Sequence, residues 1–184
     1  VQDDAGKQGE PDGAACRKPA LGLPVEPHVD DDGRGRAGEE RAPGAPRPTV
    51  AEGVLEELAA GRLTRLFGGD DSRAICSMSA AAKHCRDTGR KLRVLWFDAH
   101  ADFNTHVLTP SGNVHGMPVA CLCGHGPAEL VSIGGQVPAI NPAQLRQIGI
   151  RSVDAGEKRF VHQAGIEVFD MRFIDEMGIR HTLE

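Results

Sequence analysis

Asp98-Ala99-His100-Ala101-Asp102 places two carboxylates and an imidazole at alternate positions, directly after the apolar run Val94-Leu95-Trp96-Phe97. If the segment is extended, its period of two turns the three side chains to one side, where they can converge on a hard or borderline cation. The competing reading makes Asp98 and Asp102 turn caps and His100 a packed histidine. Position speaks for chemistry, because ligands in open α/β sheets gather beyond the carboxyl ends of the strands, and a strand ending at Phe97 delivers Asp98 there. A polar loop, Ser111-Gly112-Asn113-Val114-His115-Gly116, follows closely and brings a second histidine.

Such residues need a scaffold to hold them. Thr49 can cap a helix whose apolar face is Val50, Val54, Leu55 and Leu58, with Gly61 as its stop signal. A strand is expected over 63–67, a tight turn at Gly68-Gly69-Asp70-Asp71-Ser72, and a helix over 74–85 with Ala, Met and Cys on its inner face. After the strand ending at Phe97, a buried helix start is expected at 117–122 and buried strands at 145–153 and 166–169. Strands alternating with helical stretches predict an α/β fold, a three-layer α/β/α arrangement around a mostly parallel sheet of three or four strands.

Composition sets outer bounds on function. The chain of 184 residues, 40% hydrophobic and 26% charged, has the balance of a globular protein with room for a core. A formal net charge of -5 argues against a nucleic-acid surface, which needs clustered Lys and Arg, and no stretch reads as a membrane span. Val1-Gln2-Asp3-Asp4 has neither a basic n-region nor an apolar h-region, so a cytoplasmic location is expected. The five cysteines form no C-x-x-C pair and are odd in number, which fits reduced thiols. Cys121 and Cys123 with His125 match no common zinc spacing and read as core residues. Residues 1–48, rich in Gly, Pro and charge and including Asp30-Asp31-Asp32, read as a disordered tail, and 49–184 as a partial α/β domain.

Trp96-Phe97-Asp98-Ala99-His100-Ala101-Asp102-Phe103-Asn104-Thr105 and Thr109-Pro110-Ser111-Gly112-Asn113-Val114-His115-Gly116-Met117-Pro118 closely resemble the arginases of the ureohydrolase family. The resemblance extends upstream to Gly68-Gly69-Asp70 and downstream to Ile148-Gly149-Ile150-Arg151-Ser152-Val153-Asp154-Ala155-Gly156-Glu157, covering Val54 to Met177 in order and spacing. It implies an arginase-like fold of which part is present, and a hydrolase that converts L-arginine and water to L-ornithine and urea. It further implies two Mn²⁺ ions per subunit, which activate water for attack on the guanidinium carbon. Asp98, His100 and Asp102 resemble the family's first group of metal ligands, with Asp102 also counted among the catalytic groups, and His115 resembles its proton-transfer histidine. Asn104, Thr109, Ser111 and Asn113 resemble the residues that hold the α-carboxylate and α-amino group of arginine, with Asp154 and Glu157 on the amino side. A homo-oligomer, trimer or hexamer, is implied in the same way.

The chain departs from the family pattern in two places. The family's metal-ligating histidine after Gly-Gly-Asp is Asp71 here, a shorter ligand that adds a negative charge. The family's second aspartate pair and a later glutamate that meets the guanidinium have no counterpart within the sequence; Asp170 and Asp175 do not match their placement. Two alternatives to an arginase therefore stand beside it: a noncatalytic homologue acting by metal binding or subunit association, and a ureohydrolase acting on agmatine or another guanidino compound. Ser111-Gly112-Asn113 speaks against the second.

Overall fold

The computed structural model describes residues 49–183, so the expected tail and its Asp30-Asp31-Asp32 run lie outside the described residues. The chain opens with helix α1 (Val50–Ala59), whose start is a capping box: Glu52 N–H donates to Thr49 Oγ1 at 3.3 Å and Thr49 N–H to Glu52 Oε2 at 2.6 Å. It ends as expected at Gly61, whose φ of 74° closes the helix while the Arg62 N–H returns to the Glu57 carbonyl. Helix α2 (Arg73–Asp87) packs against α1 and buries Ile75, Cys76, Ser79, Ala80 and Ala82.

Between these helices the expected strand over 63–67 does not form. Residues 62–67 are irregular, and Leu63, Leu66 and Phe67 are exposed. Arg65 interrupts the apolar pattern, and a strand exists only where a neighbouring strand takes its backbone hydrogen bonds; among the described residues none runs alongside.

Three strands make one wholly parallel sheet in the order β1 (Val94–Phe97), β2 (Leu145–Ile150), β3 (Glu167–Asp170). The first β-α-β step carries helices α3 (Pro118–Leu122) and α4 (Ala128–Val131), and the second carries α5 (Ala155–Ala164). Val94 and Trp96 of β1 and Leu145 and Ile150 of β2 join one core with residues of α2, α3 and α5, among them Ala82, Val119, Leu122 and Val161. On the opposite face α6 (Met171–Met177) packs on β2 and β3, with the Phe169 and Phe173 rings 5.1 Å apart. Helices thus cover both faces, as the α/β reading expects, and α7 (Ile179–Leu183) packs against α6. Coverage stops short at β1, where Leu95 and Phe97 remain exposed.

The five thiols do not share one state. Cys85, Cys121 and Cys123 are free, whereas Cys76 is disulfide-bonded, so the expectation of reduced cysteines throughout does not hold for it. Cys121 and Cys123 are core residues, and burial pushes their thiols up to about 11 and about 12, which leaves them protonated and poor metal ligands.

A register shift at Ile148/Ile150 marks where β2 passes the loop that follows β1. Gly149 occupies it with φ of 91°, and a Cβ there would stand 3.2 Å from the Asp98 carbonyl oxygen. Both the conformation and the close approach favour glycine. Gly149→Ala is therefore expected to lower stability by about 1–3 kcal/mol, read as a shift of the urea midpoint.

Candidate metal centre

The loop leaving β1 turns at once instead of continuing as an extended segment. Asp98 Oδ1 accepts the His100 N–H at 2.8 Å, and the Ala99 carbonyl accepts the Arg151 and Ser152 N–H groups at 2.8 and 2.9 Å. The alternation that would aim three side chains to one side is lost at this turn. His100 stays beside the group without entering it: its ring is exposed, with Nδ1 3.2 Å from Asp98 Oδ1.

A different trio converges. Asp71, from the turn ahead of α2, joins Asp98 and Asp102, and one oxygen of each lies within 4.8 Å of the others. Asp102 is 4% exposed, and its φ of 49° makes it the single described non-glycine residue in the left-handed region. Burial, then the charges of Asp98, Asp71 and Glu157, push the Asp102 carboxyl up to about 7. Asp71 is raised as well, first by burial and then by Asp98 and Asp70, while His115 and His100 oppose the rise. The Trp96 side chain opposes the rise at Asp102, yet Asp102 Oδ2 and Trp96 Nε1 are both buried without a hydrogen bond of ordinary geometry. Converging carboxylates with an orphaned oxygen fit a divalent cation, which would offset the repulsion and occupy the orphan, and an all-oxygen donor set suits Mn²⁺, Mg²⁺ or Ca²⁺.

The sign of the resulting pH dependence follows from the Asp102 shift. A carboxyl raised from 3.8 to about 7 on folding makes the folded chain bind the extra proton between those values, so metal-free stability falls as pH rises across that window. A cation binds the deprotonated form, so Mn²⁺ affinity should rise over the same range with release of a proton. Urea midpoints at pH 5 and pH 7.5, with and without Mn²⁺, are expected to show the metal restoring what the higher pH removes.

The remaining candidate residues lie on the segments that follow β1 and β2. Asn104 is buried and donates from Nδ2 to Asp154 Oδ2 at 3.2 Å, leaving its own Oδ1 without a partner. Thr109 Oγ1 accepts the Gly112 N–H and Ser111 Oγ accepts the Asn113 N–H, which folds the 109–113 loop on itself with both serine and asparagine exposed. His115 stands exposed in the short 3-10 turn Val114–Gly116 that leads into α3. Glu157 is 4% exposed; its oxygens accept the Phe103 N–H at 2.8 Å and the Asp154 N–H at 3.3 Å, so its direct partners are backbone groups.

One residue escaped the sequence reading. Gln147, fully buried in β2, donates from Nε2 to the Ala101 carbonyl, and the signal for it was an amide at the strand position between Leu145 and Ile148 on the face shared with Leu145. His125 is no metal ligand here; its ring packs edge-on to Phe160 and Phe103.

Fold and site together define an α/β protein with a carboxylate-rich candidate cation centre at the carboxyl end of a parallel strand. The pattern described as "Arginase family" matches residues 30–184, and the chain belongs to the arginase family. It is 41% identical over 135 residues to the arginase of Bacillus caldovelox, covering 73% of this chain and 44% of that one. With the arginase of Emericella nidulans it shares 40% identity over 162 residues, covering 86% and 50% of the two chains. The Bacillus caldovelox arginase structure superposes with a TM-score of 0.69 at 40% identity, over 73% of this chain and 44% of that chain. The Entamoeba histolytica arginase, solved in complex with L-ornithine, superposes with a TM-score of 0.67 at 33% identity, over 73% and 45%. The chain thus spans about half or less of the length of these relatives. Among the described residues, no helix is long and apolar enough to cross a membrane.

Proposed function

We propose that the chain carries the first metal-ligand group and the amino-acid subsite of an arginase-type hydrolase, converting L-arginine and water to L-ornithine and urea at a pair of Mn²⁺ ions. The observation that carries this reading is the convergence of Asp71, Asp98 and Asp102 at the end of β1, in a chain of the arginase family. These three carboxylates hold metal, and His100 joins them by a rotamer change that its exposure permits. The manganese pair, when bound, supplies Lewis acidity and a water acidic enough to act as nucleophile at neutral pH.

The chain's own groups do the rest. Asp102 orients the attacking water through the oxygen left unpaired, and His115, an imidazole that can carry a proton, hands one to the departing amine. Asn104, Thr109, Ser111 and Asn113 hold the α-carboxylate and α-amino group by neutral hydrogen bonds, and Asp154 pairs with the α-ammonium, with Glu157 behind it. Assembly as a homo-oligomer belongs to the same reading.

Urea release from L-arginine after Mn²⁺ incubation, with metal content measured on the same sample, tests it. Urea at two Mn²⁺ per chain supports the reading. Bound Mn²⁺ without urea instead assigns the chain a noncatalytic role exercised through association with other subunits, and agmatine turned over in preference to arginine overturns the substrate assignment.

A further inference from the structure

We propose that Gln147 and Glu157 are positioning residues that hold Asp102 in its left-handed backbone conformation and thereby set the affinity of the carboxylate trio for a divalent cation. The inference rests on the metal reading above and adds to it two residues that touch no metal.

Asp102 is the described residue that most needs holding. A left-handed conformation at a non-glycine residue is unfavourable and persists where surrounding structure holds it. Here both peptides that flank Asp102 are seized by buried side chains from separate elements. The carbonyl of Ala101, before it, accepts from Gln147 Nε2 of β2. The N–H of Phe103, after it, donates to Glu157 Oε1 of α5 at 2.8 Å. The carbonyl of Asp102 itself accepts the Val119 and Ala120 N–H groups at 3.0 and 3.3 Å, from the first turn of α3. Rotation about either backbone bond of Asp102 therefore breaks a bond to the sheet, to α5 or to α3.

Packing does not call for Gln147, and the capping box of α5 accounts for only one of the two Glu157 oxygens, the one that accepts the Asp154 N–H. Gln147 lies fully buried in the central strand, and its Oε1 has no partner, a desolvation cost that an aliphatic side chain would avoid. Glu157 is a carboxylate 4% exposed, pushed up first by burial, and spends its two oxygens on backbone amides. Both unfavourable burials meet at the two peptides that orient one ligand. Groups outside a metal's own ligand set change its affinity by about 10–100-fold when they orient the ligands.

The test compares the full chain with Gln147→Met, Glu157→Ala and Glu157→Gln, reading Mn²⁺ affinity by the loss of the free-ion paramagnetic resonance signal and reading amide exchange in the metal-free protein. Gln147→Met and Glu157→Ala are expected to weaken Mn²⁺ binding by about 10–100-fold. Glu157→Gln keeps an oxygen for the Phe103 N–H and should recover most of the loss. In Gln147→Met and Glu157→Ala the Phe103 and Asn104 amides should exchange faster while the Asp98 amide, held by the Ile148 carbonyl, stays protected. Residues that served stability alone would lower the melting temperature and leave the affinity of the folded protein unchanged; that result, or Glu157→Gln no better than Glu157→Ala, overturns the proposal. A wild-type chain that binds no Mn²⁺ refutes the metal reading instead, and the exchange data then decide: unchanged Phe103 and Asn104 amides in Gln147→Met refute the positioning.

Discussion

Asp102→Asn should abolish stoichiometric Mn²⁺ binding and at the same time raise the melting temperature of the metal-free chain at pH 7.5. The two effects share one cause. The carboxylate is buried, faces Asp98 and Asp71, and is pushed up to about 7, so its charge is unfavourable to the folded chain until a cation is present. The amide keeps the shape and removes the charge, relieving the repulsion and deleting the ligand together. Affinity is expected to fall by more than the about 10–100-fold that outer groups command. Opposite signs on metal-free stability and metal affinity are what a functional site predicts and a salt-bridged structural carboxylate does not. A melting temperature that falls, with Mn²⁺ affinity intact, would remove Asp102 from the site. Calorimetric Mn²⁺ titration and thermal unfolding of the same sample give both readings.

Phe103→Ala is the largest expected loss of stability. The side chain is fully buried between the elements that make the site, its ring 4.9 Å from Phe160 of α5 and 6.0 Å from His125. Truncation removes the burial of a whole aromatic ring and opens a cavity, about 3–5 kcal/mol, against a net stability of about 5–15 kcal/mol for a typical domain. A sheet of three strands with part of one face bare has little to spare. Urea unfolding should show a collapsed midpoint or no cooperative transition for Phe103→Ala, and a loss of less than about 1.5 kcal/mol for Phe103→Leu if the core repacks around it. A midpoint within error of wild type would mean that Phe103 does not join loop to core.

Where sequence and structure agree, the deciding interactions are local. Thr49 and Glu52 cap α1 because both partners of the capping box lie within one turn, and Gly61 stops it because only the backbone at that residue is involved. The apolar run Val94-Leu95-Trp96-Phe97 and the Asp98 that follows are likewise contained in a few residues, so a strand delivering a carboxylate to its carboxyl end could be read directly. The arginase motifs carried the family for the same reason: residue type and spacing survive without any knowledge of packing.

Where the two diverge, the partner lies far along the chain. The 63–67 segment, expected as a strand, has no neighbour among the described residues to pair with. His100 stands beside the carboxylate trio and not within it, on a loop that turns where the Ala99 carbonyl is taken by Arg151 and Ser152, about fifty residues away. Asp71 enters the cluster because the turn ahead of α2 is folded against the end of β1, a juxtaposition no periodicity encodes. The sequence by itself determined the caps of α1, the parallel α/β order and the residue types of the candidate metal centre, since each depends on neighbours a few residues apart. Only the tertiary structure decided which carboxylates converge, and that Gln147 and Glu157 clamp the peptides around Asp102, because those contacts are made across elements whose approach is set by burial of the shared core.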